Sequence, residues 1–182
     1  MKIYRLNEIE EKDVFLRCDT GVDVSQPVRE MIERVRKEGD QALYALTEQF
    51  DGAKLETLAV SKHEIEDALQ KVEKGFLEIL REAAQNIRRY HEKQKRESFV
   101  MTEREGVVLG QKILPLERVG IYVPGGTAAY PSSVLMNAVP AQIAGVKEII
   151  MVTPPGRDGT VNPAILAAAY VAGVTQIFKL GG

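Results

Sequence analysis

Apolar positions recur at helical spacing through the first half of the chain and gather into short runs in the second, so the two halves predict different architectures. From Ser25 the pattern is helical. Ser25 can cap, Pro27 fits an early turn, Val28, Met31, Ile32 and Val35 share a face, and Gly39 can end the segment. Asp40 is placed to cap a second helix with Leu43, Leu46 and Phe50 as its stripe, and Asp51-Gly52 supplies a turn before a short strand at Leu58 to Val60. Ser61 and Glu64 make a capping box for a third helix. The longest helix is expected from about Gly75 to Gln94, with Phe76, Leu80, Ala83, Ile87 and Tyr90 on one face.

Segments Ser98 to Glu103 and Gly106 to Leu114 alternate as strands do, with a hairpin turn at Thr102 to Gly106. The period then changes. Apolar runs start near residues 119, 148 and 176, and each gap between them holds a helical stretch: one from Ser132 or Ser133 to Ala144, one from Asn162 to Ala172. That is a βαβαβ unit, whose strands should be parallel with right-handed crossovers. The fold class is therefore α/β: a helical N-terminal region with a small β-hairpin, followed by the parallel βαβαβ unit. Composition divides the chain in the same way. Of 50 charged residues, 42 lie in positions 1–105, whereas 11 of 15 Gly and 7 of 8 Pro lie after 105. We expect an N-terminal arm at 1–24, a mainly helical region with the hairpin at 25–117, and the βαβαβ domain at 118–182.

Several function classes are excluded at this level. The formal net charge of -2 leaves no nucleic-acid footprint. No stretch reaches the roughly 20 apolar residues of a membrane span, and MKIYRLNEIEEKD has no signal-peptide core, so the expected location is the cytoplasm. Cys18 stands alone and reads as a packing residue. His63 and His91 are the two histidines, too few to build a metal site from protein ligands, and both read as surface or packing residues. The cluster RRYHEKQKR, Arg88 to Arg96, reads as an anion-binding patch or as a solvated helix end favourable to the helix dipole.

Open parallel sheets bind ligands beyond the carboxyl ends of their strands, here Pro124 to Pro131, Thr153 to Gly159 and Gly181-Gly182. In GIYVPGGTAAYPSS, paired glycines let the backbone approach a ligand and a helix N-terminus follows, yet the spacing is neither GxGxxG nor GxxxxGK[ST] and fits a tight turn equally well. Tyr122 lies near this crevice if its ring points outward. Tyr130 can be rim, core or hinge, and Thr127, Ser132 and Ser133 can contact a ligand or cap the helix.

The segment GIYVPGGTAAYPSSVLMNAVPAQIAGV, Gly120 to Val146, closely resembles histidinol dehydrogenase. KEIIMVTPPGRDGTVNPAILAAAYVAGVTQIFKLGG looks like its continuation, and VREMIERVRKEGDQALYALTEQFDG and NIRRYHEKQ look like its first helices. The resemblance implies a homodimeric enzyme of histidine biosynthesis that uses zinc and NAD to oxidise L-histidinol to L-histidine through the aldehyde. It implies an incomplete Rossmann-like domain, NAD contact through Tyr122, and Pro124, Gly125 and Gly126 lining the same place. Members of the family are well over twice this length. The chain holds no Gln-x-x-His zinc-ligand segment and no Pro-Glu-His acid/base segment, so neither catalytic nor metal residues are assigned and the chain alone is expected to be inactive. The competing reading is a natural short binding or interaction module of the same fold. A chain ending at Gly182 is also expected to expose the edge of its last strand and to self-associate through it.

Overall fold

The structure is a computed structural model that describes residues 23–125 and 129–181. Contacts divide the chain into two compact units, Met1–Gly39 and Asp40–Gly182. In the first, the described element is helix α1 (Ser25–Glu38). Its cap comes earlier than Ser25 implied: Ser25 is already helical, and its amide donates to the Asp23 carboxylate at 2.9 Å. Gly39 closes the helix with φ +61, a conformation suited to glycine.

The second unit begins with α2 (Asp40–Asp51), in which Asp40 is the first helical residue rather than a preceding cap. Its buried positions are Ala42 and Thr47, with Leu43 and Leu46 half-buried beside them, whereas Phe50, the third residue of the expected stripe, is 58% exposed. Helix α3 (Lys62–Lys71) starts at the expected capping box: the Ser61 hydroxyl accepts from the Glu64 amide, and the Glu64 carboxylate accepts from the Ser61 amide. Helix α4 (Phe76–Glu92) follows. Strands β1 (Phe99–Arg104) and β2 (Val107–Gln111) form an antiparallel ribbon that turns at Gly106, φ +74.

The βαβαβ unit is β3 (Arg118–Tyr122), α5 (Pro131–Ala144), β4 (Glu148–Thr153), α6 (Pro163–Val171) and β5 (Gln176–Lys179). All three strands are parallel, in the order β3-β4-β5. Alternation sends Ile121, Val123, Ile149, Met151 and Ile177 into one core with Val134, Leu135 and Ala138 of α5 and the apolar body of α6. Helices α3 and α4 pack on α6, and α4 also packs on α5, forming a further helical layer over the same face. Leu80 of α4 and Ala68 of α3 join this core, so it draws on residues from both sides of the charge step at 105. The opposite face is open: Gly120 and Tyr122 are exposed, while Ile150, Val152 and Phe178 are half-buried.

The outer edge of β5 is paired, contrary to the expectation of a bare strand. Ala59 bridges Phe178 antiparallel, with Val60 N–H donating to Ile177 O at 2.9 Å and Lys179 N–H to Leu58 O at 2.7 Å. The short strand expected at Leu58 to Val60 thus satisfies the backbone groups that were to drive self-association, and that reason for it falls away.

Candidate functional site

The crevice lies beyond the carboxyl ends of β3, β4 and β5, where pairing continues past the strands. Val123 N–H donates to Val152 O at 2.9 Å, and Leu180 N–H to Thr153 O at 3.0 Å. These bonds hold Pro124, Pro154 and Gly181 as the first residues of the rim. At Gly125 an added Cβ would lie 2.9 Å from Pro154 Cγ and 3.0 Å from Pro154 O, so only glycine fits where the two rim loops meet. At Gly181 it would lie 2.8 Å from a carboxylate oxygen of Asp51, which brings the end of α2 to the end of β5. Burial raises the Asp51 pKa.

The loop after β4 is held by its own polar groups. The Asp158 carboxylate accepts from the Thr160 amide and hydroxyl at 3.1 and 2.9 Å, and bonds from Thr160, that of the backbone foremost, lower its pKa. Asn162 caps α6 by accepting from the Ala164 amide at 2.9 Å. Helix α5 differs, because Tyr130 precedes it without a side-chain cap and Pro131 opens it. Ser132 and Ser133 therefore lie within its first turn instead of capping it.

Of the residues singled out in the sequence, Tyr122 ends β3 on the open face and is 47% exposed. In register it stands beside Val152, which stands beside Phe178, giving an apolar row across the sheet at the mouth of the crevice. Pro124 is exposed and Gly125 half-buried. Tyr130 is a half-exposed neighbour of the α5 N-terminus. Gly126, Thr127 and Cys18 lie outside the described residues. His63 is exposed and lies 3.5 Å from Asp67 on its own helix, while His91 Nδ1 is 2.7 Å from Gln94 Oε1. Neither histidine meets the Tyr122 row in any of these contacts. Within the basic cluster, Arg88 donates to Gln142 Oε1 at 3.0 Å and ties α4 to α5.

Three polar groups at the crevice escape a reading of the sequence. Lys179 is buried at the end of β5, with its Nζ 2.5 Å from Glu64 Oε1. Burial would raise the Glu64 pKa, but the bonds from Lys179 and Ser61 outweigh it and the net shift is downward. Thr153, in register with Lys179, is fully buried and its hydroxyl has no hydrogen-bond partner among the described residues. Asp51 is the third. The signal for Lys179 was present in QIFKL, where the alternation that buries Ile177 buries the lysine two positions on.

The histidinol dehydrogenase family profile matches residues 17–182. The chain belongs to the histidinol dehydrogenase family. It is 56% identical over 155 residues to the histidinol dehydrogenase of Geobacillus kaustophilus (strain HTA426), covering 85% of this chain and 37% of that one. To that of Halalkalibacterium halodurans it is 50% identical over 185 residues, covering 100% of this chain and 43% of the relative. Its structure is similar to the crystal structure of histidinol dehydrogenase from Elizabethkingia anophelis, with a TM-score of 0.85, 39% identity, and coverage of 89% of this chain and 37% of that one. The chain spans about two fifths of the length of the curated relatives it matches.

Proposed function

We propose that the βαβαβ unit 118–182 supplies one wall of the NAD site of a histidinol dehydrogenase, with Tyr122, Pro124, Gly125 and Gly126 against the cofactor. The observation that carries this is the row Tyr122, Val152, Phe178 at the carboxyl ends of three parallel strands, the end of the sheet from which the chain runs on into α5. A partly exposed aromatic ring on a flat apolar row suits stacking of a planar ring, and the first-turn amides of α5 favour a pyrophosphate. Gly125, pinned on Pro154, fixes the path of the backbone past that ring. The chemistry NAD supplies is hydride acceptance, once from the alcohol L-histidinol and once from the hydrated aldehyde, yielding L-histidine.

Both oxidations need a base, and the second needs a water activated against the aldehyde. Neither described histidine meets the Tyr122 row in the contacts it makes. His63 and His91 are engaged close to their own helices, and no group of three His, Cys, Asp or Glu side chains comes together among the described residues as a metal set. The zinc of this activity therefore does not fit the described residues, and no step is derived through it. We propose that the chain by itself does not turn over histidinol, and that the working protein is a cytoplasmic homodimer. Among the described residues no helix is long and apolar enough to cross a membrane.

Titration of the chain with NAD, followed by fluorescence or calorimetry, tests the reading. Tyr122→Ala should weaken binding on the order of tenfold, the worth of one aromatic stacking contact. Unchanged affinity in that variant would refute the placement, and NADH formation from histidinol by the purified chain with zinc supplied would refute the inactivity.

A further inference from the structure

Lys179 is held at both its main chain and its side chain by one short piece of the protein, residues 58–64. Its amide donates to Leu58 O at 2.7 Å, and its Nζ lies 2.5 Å from Glu64 Oε1. The other Glu64 oxygen accepts from the Ser61 amide and hydroxyl at 2.9 and 3.1 Å, so the carboxylate that closes the capping box of α3 is the one that meets the lysine. Two residues back along β5, Val60 N–H donates to Ile177 O. Phe178 stands between the two fastened residues.

Stability alone does not explain an ion pair at this place. Charges taken out of water lose about as much hydration as they regain in mutual attraction, and an apolar side chain at 179 would continue the alternation from Ile177 without that loss. A charged pair fixes direction where an apolar contact does not: the ammonium has to reach one carboxylate, and Ser61 orients that carboxylate. Such fixing matters in β5, which has four residues and whose outer edge meets the isolated bridge Ala59–Phe178 instead of a full strand. Side chains alternate across a strand, so anchoring Lys179 on the helix-covered face sets the backbone that carries Phe178 on the open one. Phe178 is the third member of the row Tyr122, Val152, Phe178.

We propose that Glu64 and Lys179 are positioning residues for the cofactor wall: the pair latches the end of β5 from behind and holds Phe178 in line with Val152 and Tyr122 before a ligand arrives. This rests on the reading of that row as one wall of an NAD site. A wall ordered in advance spares the ligand the cost of ordering it, and the saving appears as affinity. The pair acts through Phe178 and lies on the opposite side of the sheet from the ligand.

The test sets affinity against stability in the full chain, by NAD titration calorimetry and urea unfolding of the same preparations. The double variant, Glu64→Gln with Lys179→Met, should unfold at close to the wild-type urea concentration yet bind NAD about three- to tenfold more weakly, the cost of ordering one side chain on binding. Leu80→Ala, which empties part of the core at α4, should be clearly less stable and bind NAD as the wild type does. A double variant that binds like the wild type, or a Leu80→Ala variant weakened as much, would overturn the proposal and leave the Tyr122 site standing. Hydrogen exchange reads the latch without any ligand. The Val60 and Lys179 amides should exchange at least about tenfold faster in the double variant, while the Val123 amide, bonded to Val152 O, keeps its rate. Equal rates in both proteins at all three amides would overturn the latch itself. A wild type that takes up no NAD but shows this local loosening in the double variant would overturn the NAD wall, and with it the cofactor role of the pair.

Discussion

Glu64 and Lys179 link the start of α3 to the end of β5, and removing one partner should cost far more than removing both. The Lys179 side chain is 9% exposed and that of Glu64 31%, with 2.5 Å between their charged atoms. Breaking a fully buried pair from one side costs about 3–5 kcal/mol, because the remaining charge is left without a partner. Glu64 is nearly a third exposed, so solvent screens part of that, and about 2 kcal/mol is expected for Glu64→Gln. Glutamine keeps the capping-box acceptor, which separates loss of the charge from loss of the cap. Replacing both charges, Glu64→Gln with Lys179→Met, should be close to neutral, whereas Lys179→Met alone leaves the Glu64 carboxylate without its partner. On this size of chain about 2 kcal/mol lowers the melting temperature by roughly 4–8 °C. Urea unfolding of both single variants and the double variant gives the coupling energy directly. The folded pKa of Glu64 is depressed, so its contribution is present above the unfolded carboxylate value and is lost as pH falls through the lower folded value. That acid-side loss should shrink in Glu64→Gln. A coupling energy indistinguishable from zero, with Glu64→Gln as stable as wild type, would refute the reasoning.

Thr153→Val removes a buried hydroxyl that has no partner among the described residues and keeps the shape, so it should be neutral or stabilising by about 1 kcal/mol; a loss of that size in urea unfolding would show the hydroxyl to be satisfied. Asp51 has a raised folded pKa, so its stabilising effect is present below the unfolded value and is lost as pH rises through the folded one. Asp51→Asn should therefore raise stability at pH 7 and not at pH 3, and equal effects at both would count against burial as the cause. Gly125→Ala should destabilise by about 1–3 kcal/mol through its clash with Pro154 and weaken NAD binding in the same titration. Gly120→Ala, whose Cβ meets nothing within 4 Å, should fold as well as wild type or better, and a stability loss comparable to Gly125→Ala would contradict the open sheet face.

Local signals were the ones the sequence carried well. The Ser61–Glu64 box, the Gly106 turn and the three apolar runs of the parallel sheet are each written within a few residues, and each forms where the spacing placed it. Helix starts were read less well where a competing residue took the first position. Pro131 opens α5 ahead of Ser132 and Ser133, and Asp23 takes the Ser25 amide, so the serines fall inside their helices. The larger failures are long-range. Nothing in QIFKL shows that Leu58–Val60, far earlier in the chain, will pair with its edge, and nothing in α2 alone shows that Ala42 and Thr47 will be buried while Phe50 is exposed. Such facts depend on which elements meet, and hydrophobic period reports only which face of an element is apolar.

The glycines at the crevice illustrate the same division. Read from spacing, Pro-Gly-Gly fits a tight turn as well as a backbone brought close to a ligand. In the fold, Gly125 is required by Pro154 and Gly181 by Asp51, both within the protein, so these two glycines bring rim loops against their neighbours and leave no free space at their own Cα positions. The site-forming role then passes from the glycines to what they hold in place. Pinning Pro124 and Gly125 on Pro154 fixes the end of β3 relative to β4, and with it the side chain of Tyr122 beside Val152 and Phe178. A planar cofactor ring needs a flat surface held still, because ordering that surface at the moment of binding would subtract from affinity. The tight rim is therefore consistent with the wall proposed for NAD, which on that proposal presents one aromatic residue and the backbone that carries it.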